Sequence, residues 1–207
     1  MKVAAVIPAY NEEKTVASVV RAVREAPSIS EVIVVDDGST DKTAQVARQA
    51  GARVVSLETN VGKGGAMKAG ALATDADIIV YLDADLMGLT REHVELLAAP
   101  VLKQEADIAL GIFDQGRFTT DMAQKLTPFL SGQRAMRRSI ILEIPDLEKT
   151  RYGVEVAISR YAEQKELRVV RVHLKHVAQL TKEEKIGLLR GFCARLRMYW
   201  EIIRLSR

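Results

Sequence analysis

Two aspartates one residue apart, Asp83-Ala84-Asp85, stand just past the apolar run Ile78-Ile79-Val80-Tyr81-Leu82. Carboxylates at i and i+2 can aim at one cation, with a diphosphate on its other side. Mg²⁺ and Mn²⁺ take oxygen ligands and often use only one or two protein carboxylates beside phosphate oxygens. Such a cation offsets the charge that gathers on a departing diphosphate. Taken alone, an Asp-x-Asp reads as well as two solvated loop acids. Its place behind a buried run favours the cation.

Other polar clusters recur at similar places. Asp36-Asp37-Gly38-Ser39 follows the run Glu31–Val35. Adjacent acids repel, so their pairing at a strand end points to work such as accepting hydrogen bonds from a base N–H or a ribose hydroxyl. A capped turn explains Ser39, Thr40 and Asp41 equally well, but explains Asp36 and Asp37 poorly. Asn60-Val61-Gly62-Lys63-Gly64-Gly65 lacks the G-x-x-x-x-G-K-[ST] spacing of a P-loop. It can still bring backbone N–H groups and Lys63 towards a phosphate at a helix start, or serve as a plain glycine-rich turn. Pro8-Ala9-Tyr10-Asn11-Glu12 follows the first apolar run, Val3–Ile7. It reads as a floor beneath a base or as an ordinary strand-to-helix turn, with Pro8 ending the strand.

The elements that must position these loops alternate along the first half. Strands are expected at Val3–Ile7, Glu31–Val35, Arg53–Ser56, Asp77–Leu82 and Asp107–Leu110. Helices are expected at Glu12–Arg24, Asp41–Ala50, Lys63–Ala73 and Arg91–Gln104. Near-continuous apolar strands alternating with helices predict a parallel sheet covered on both faces. In such sheets ligands bind at the carboxyl edge of the strands, where these polar clusters fall. After Gly111 the alternation breaks. A loop is expected at Gly111–Thr120, short helical pieces at Asp121–Leu142, a helix at Tyr152–Gln164, a strand at Leu167–Leu174 and a long helix at Thr181–Leu205.

The set I-P-A-Y-N-E-E, V-V-D-D-G-S-T-D-x-T, N-x-G-K-G and Y-L-D-A-D, in this order and spacing, resembles the large glycosyltransferase family that includes dolichol-phosphate mannosyltransferases. The resemblance covers about residues 2 to 112. It implies an α/β, A-type glycosyltransferase fold: a Rossmann-like, mostly parallel sheet with helices on both faces. It implies that Pro8, Tyr10 and Glu12 line the nucleoside site and that Asp37 contacts the base, with Asp36 and Ser39 close by. It sets Lys63 near the base and phosphates, and Asp83 and Asp85 on ribose and metal. In the second half, Leu130-Ser131-Gly132-Gln133-Arg134 looks like an acceptor-site loop. Tyr152-Gly153-Val154-Glu155 and Val172-His173-Leu174-Lys175-His176 are similar to the pattern of glucosyl-3-phosphoglycerate synthases. There a late histidine joins the Asp-x-Asp on the metal, which implies His176 here, with His173 the alternate and a plain surface residue the bland reading. Glu155 is the candidate base or acceptor-orienting group alongside Asp85. A phosphate acceptor needs no base, and Arg134, Arg137 and Arg138 would then bind it, unless they form a solvated helix face.

The implied activity is metal-dependent transfer of a sugar from a UDP- or GDP-linked donor to a hydroxyl or a phosphate, polyprenyl phosphates included. A retaining glucosyl-3-phosphoglycerate synthase-like transferase with a small phosphorylated acceptor is one alternative. A sugar nucleotidyltransferase and a non-enzymatic scaffold are others. The 207 residues are expected to form one domain: a nucleotide-sugar half (1–112), an acceptor half (113–180) and a basic amphipathic helix (181–207). Aromatics make up only 5%, against stacking platforms for single-stranded nucleic acid. A single cysteine, Cys193, excludes an intrachain disulfide. With no signal-peptide pattern, that composition predicts a cytoplasmic protein. In the last segment Ile186, Leu189, Cys193, Leu196, Trp200 and Ile203 form an apolar stripe flanked by Arg and Lys. The stripe fits packing on the chain's own core, a homodimer, or peripheral contact with an anionic membrane.

Overall fold

The computed structural model describes residues 1–114, 131–150 and 153–179. Strands β1 (Val3–Ala9), β2 (Glu31–Asp36), β3 (Arg53–Ser56), β4 (Ile78–Tyr81), β6 (Ile108–Asp114), β7 (Arg134–Arg137) and β8 (Val169–Lys175) form one sheet in the order β3-β2-β1-β4-β7-β6-β8. β3, β2, β1 and β4 pair in parallel, as do β6 and β8. Helices α1 (Val16–Arg24), α2 (Thr43–Gln49) and α4 (Arg91–Leu102) supply one apolar layer. Helices α3 (Lys63–Leu72), α5 (Arg138–Glu143) and α6 (Val154–Gln164) supply the other.

Alternation along each strand explains how one sheet feeds two cores. In β1, Val3, Ala5, Ile7 and Ala9 face the first layer, and Val6 faces the second. With both faces covered, β1 reads as a continuous apolar run. Helix α1 buries Val16, Val19, Val20 and Val23, the stripe expected from a 3.6-residue period.

The second half departs from the sequence reading. Residues 134–137, expected among helical pieces, form β7. It runs antiparallel to both β4 and β6 and sits between them. Arg-Ala-Met-Arg has no β-branched residue and carries a charge at each end, so nothing local marks a strand. β6 also continues to Asp114, through the expected loop start. A short pair, β5 (Leu86–Met87) with β9 (Ala178–Gln179), straps the later chain across the exit from β4. The long C-terminal helix expected at Thr181–Leu205, with its membrane or dimer contacts, lies outside the described residues, as does Tyr152.

Glycine sets the distance between α3 and β1. A Cβ at Gly70 would collide with Val6 Cγ1 and stand 3.1 Å from Val35 Cγ2, both on buried strands. Gly70→Val therefore overpacks the second core. We expect a loss of about 2–3 kcal/mol, larger than the few tenths that Val gains over Gly in a helix. Urea unfolding midpoints measure it, and an unchanged midpoint would contradict the packing described.

Candidate active site

The site begins where the sheet opens. β1 pairs with β4 only over Val3–Val6, whereas its pairing with β2 runs on to Ala9. The order β2-β1-β4 makes this the point where successive connections turn to opposite sides, the crevice in which open α/β sheets bind ligands. Pro8 sits inside β1 rather than ending it. The Ala9 carbonyl takes its hydrogen bond from Asp37 on the β2 side, and Val6 takes one from Leu82 on the β4 side. The N–H that Pro8 lacks therefore falls on the β4 side, beyond the last paired residue, where no ladder bond is lost.

Hydrogen bonds tie the loops around this opening. The Asn11 N–H donates to Ser39 Oγ at 2.9 Å, and Thr40 N–H donates to Asn11 Oδ1 at 2.9 Å. Glu12 N–H donates to Thr43 Oγ1 at 2.7 Å. The Asp37 carboxylate accepts from Val61 N–H at 2.8 Å and Gly62 N–H at 2.9 Å, fastening the glycine-rich loop to the end of β2. Asp36 accepts from Ser39 N–H at 3.2 Å. Both adjacent acids are thus buried against backbone donors, which resolves their repulsion. Gly38 adopts φ +70°, and a Cβ there would press on Asn60 N at 2.9 Å. Tyr10 stands at the rim, 47% exposed.

Beneath the rim lies a cluster of charges. Lys63, the first residue of α3, places its ammonium 2.7 Å from Asp83 Oδ1 and 2.8 Å from Glu155 Oε1. Burial alone would lower the Lys63 pKa, but Asp83 and Glu155 outweigh it and hold it above the usual lysine value. Burial likewise works to raise Asp83, and Lys63, Gln133 and Gln179 together hold it below its ordinary 3.8. Arg134 is 2% exposed. Its Nε donates to the Ser131 carbonyl at 2.9 Å and an Nη to the Glu155 carbonyl at 3.4 Å. Desolvation pulls Arg134 down to about 10, opposed by Glu155 and Asp83, so it stays cationic at neutral pH. With Asp85, which Gln179 links to Asp83, the cluster holds three carboxylates (Asp83, Asp85, Glu155) and two cations (Lys63, Arg134), a formal sum of −1.

Gln179, which the sequence did not single out, completes the cluster. Its amide nitrogen donates to Asp83 Oδ2 at 2.6 Å and to Asp85 Oδ1 at 3.1 Å, bridging the two aspartates. His176 does not share this place. It is exposed, with φ +60°, at the corner between β8 and β9, and its carbonyl lies against Gly88. His173 is exposed on the edge strand β8. Among the described residues, no group of three or more His, Cys, Asp and Glu is placed to hold a metal. A left-handed residue at 176 sends the chain back as β9, and the pairing of Gln179 with Leu86 brings the Gln179 side chain onto the aspartates. No alternation pattern could have announced this, because the placement comes from a two-residue pairing distant in sequence.

The expected acceptor residues are divided. Gly132 is pressed against the charge cluster: a Cβ there would collide with Lys63 Nζ and both Asp83 oxygens. Gln133 turns its amide onto Asp83. The arginines do not gather into one phosphate site. Arg134 is buried in the cluster, Arg137 approaches Asp107 at 3.9 Å, and Arg138 Nε donates to the Ala71 carbonyl at 2.7 Å.

Comparison with known proteins fits this geometry. The family model described as "Glycosyl transferase family 2" matches residues 4–167. The chain belongs to glycosyl transferase family 2. This family 2 chain is 31% identical over 193 residues to a glucosyl-3-phosphoglycerate synthase of Mycobacterium tuberculosis, covering 75% of the chain and 59% of that relative. It therefore spans less than two thirds of that relative's length. It is 27% identical over 214 residues to an undecaprenyl-phosphate 4-deoxy-4-formamido-L-arabinose transferase of Edwardsiella ictaluri, covering 91% of the chain and 64% of the relative. A crystal structure of the M. tuberculosis synthase with Mn²⁺, UDP and glucosyl-3-phosphoglycerate superposes with TM-score 0.78 at 27% identity, over 98% of this chain and 77% of that one. Another, with Mg²⁺ and UDP, gives 0.72 at 26% identity, over 94% and 79%. The A-type fold expected from sequence is thus the fold of this family 2 chain.

The charge cluster predicts a pH effect with a definite sign. Because the Asp83 pKa is depressed, its stabilisation is fully present above the ordinary carboxylate range and is lost as pH falls through its lowered value. Lys63→Met leaves Asp83 and Glu155 without their shared partner. We expect a loss of about 3 kcal/mol at pH 7 and a smaller one at pH 3, below the ordinary carboxylate value of 3.8. Urea unfolding at both pH values checks this; an equal loss at both would contradict the pairing.

Proposed function

We propose that this chain transfers a sugar from a nucleoside diphosphate sugar, UDP-linked in preference to GDP-linked, to an acceptor oxygen, with Mg²⁺ or Mn²⁺ at Asp83 and Asp85. The observation that carries the reading is the paired aspartates, bridged by Gln179, at the crevice between β1 and β4. The donor set fits a hard cation. Two carboxylates and an amide oxygen, once the Gln179 side chain turns over, are ligands that Mg²⁺ and Mn²⁺ accept, with room left for diphosphate oxygens. The formal −1 of the cluster also favours a divalent cation. UDP is preferred because the structurally similar synthase is solved with it and either metal.

A bound divalent cation would neutralise charge on the departing diphosphate. The chain's own groups do the rest. Asp37 holds the loop that leads into α3, so the amides of the first helical turn and Lys63 lie at the mouth of the crevice. We assign Pro8, Tyr10, Glu12, Asp36 and Ser39 to the nucleoside; the hydrogen bonds from Asn11 to Ser39 and from Glu12 to Thr43, which tie their loops together, support this. Glu155, held through Oε1 by Lys63, is the group we assign to orient an acceptor hydroxyl or take its proton. A phosphate acceptor arrives already ionised and would use Glu155 only as a neighbour. The similar synthase and the undecaprenyl-phosphate transferase support an acceptor that carries phosphate. We assign segment 181–207, basic and apolar-striped, to contact with a membrane surface or a second subunit. No helix of the described residues is long and apolar enough to cross a membrane.

Thermal unfolding with ligands tests the reading. UDP with Mn²⁺ at about a hundred times its Kd should raise Tm by roughly 5–10 °C. Asp85→Ala should abolish the part that depends on Mn²⁺. Stabilisation by nucleoside triphosphate alone would favour a nucleotidyltransferase instead. No response to any nucleotide would leave only a scaffold.

A further inference from the structure

The sequence resemblance puts Gln133 in an acceptor loop, and in the structure its side chain is turned onto Asp83. It is 1% exposed, and both ends of its amide are spent on Asp83. Oε1 accepts the Asp83 N–H at 3.1 Å, and Nε2 donates to Asp83 Oδ2 at 3.1 Å. The two contacts fix the amide's orientation between them, because only the oxygen can accept from an N–H and only the nitrogen can donate to a carboxylate.

Gln133 is itself held from behind. The Gly111 N–H donates to its carbonyl at 2.8 Å, and its own N–H donates to Ser131 Oγ at 3.3 Å. The next residue opens β7, which is clamped between β4 and β6. A Cβ at Gly111 would come within 3.0 Å of Gln133 Cβ, so the side chain has little room to swing away on that side.

Asp83, by contrast, stands where the strand has ended. The last paired residue of β4 is Tyr81, and Leu82 makes the final bond to β1. The Asp83 N–H lies beyond that ladder in a residue only 9% exposed. Without a partner it would be buried unsatisfied, and the segment from 83 to 85 would be free to choose another path. Gln133 gives that N–H its acceptor and fixes the rotamer of the carboxylate with the same group.

We infer that Gln133 is a positioning residue: it sets the conformation of Asp83-Ala84-Asp85 for the cation and nucleotide, and it does not contact the acceptor. The inference rests on the functional reading above. It acts through Asp83, so its signature is in cation and nucleotide affinity.

The test uses the full chain, with Mn²⁺ and UDP as probes. Isothermal titration calorimetry at 10 °C gives the Kd for UDP at saturating Mn²⁺, with folding checked by far-UV circular dichroism. Gln133→Met keeps the volume and removes both hydrogen bonds; Kd should rise about tenfold. Gln133→Asn keeps the amide but is one CH₂ too short to span both partners; it serves if the Met variant does not fold, and its Kd should rise at least about threefold. A folded variant that binds UDP with Mn²⁺ as wild type does, within twofold, overturns the inference, whether Gln133 serves the acceptor or only stability. A wild-type chain that binds no UDP with Mn²⁺ overturns the functional reading itself, and this inference with it.

Discussion

The ammonium of Lys63, held between Asp83 and Glu155, is the interaction on which the site depends. It joins the first residue of α3, the end of β4 and the first turn of α6, elements far apart in the chain. A buried ion pair contributes little net stability, because desolvation offsets the attraction. Removing one member is costly, however, since the others are left charged and unpaired. The arrangement therefore specifies position more than it adds stability. Gly132 shows how tight the specification is: no side chain can occupy that point without displacing Lys63 or Asp83.

Around that pair the sheet provides an opening and the loops provide its walls. β1 parts from β4 after Val6 but stays with β2 to Ala9, so a crevice forms on one side of β1 only. Backbone donors then decide where the acids point. Asp37 is spent on Val61 and Gly62, and Asp83 is shared among Lys63, Gln133 and Gln179. The net result is a cluster with a formal surplus of one negative charge at the mouth of the crevice, suited to a divalent cation carrying an anionic ligand.

The first half of this architecture was legible in the sequence for a physical reason. Strands buried on both faces must be apolar throughout, so β1, β2 and β4 announce themselves, and the polar residues after them mark the ligand edge. The second half was not legible because its placements are tertiary. β7 is a strand only because β4 and β6 flank it; Arg134-Ala135-Met136-Arg137 has no strand signal of its own. Gln179 carried no signal, because a positive φ at His176 turns the chain there and a two-residue pairing then brings Gln179 onto the aspartates. For Gln133, sequence shows that an amide is present but not that Asp83 uses both of its ends.

The proposed chemistry requires a divalent cation between Asp83 and Asp85 in the crevice between β1 and β4. Anomalous diffraction at the manganese edge, from crystals of the full chain grown with Mn²⁺ and UDP, tests it most directly. One strong peak is expected within ligand distance, about 2.0–2.3 Å, of an Asp85 oxygen, as a hard cation with oxygen ligands requires. Diphosphate density is expected on the peak's open side. A manganese peak elsewhere on the molecule, or UDP bound with Lys63, Asp83 and Gln179 undisturbed and no metal between the aspartates, would contradict it.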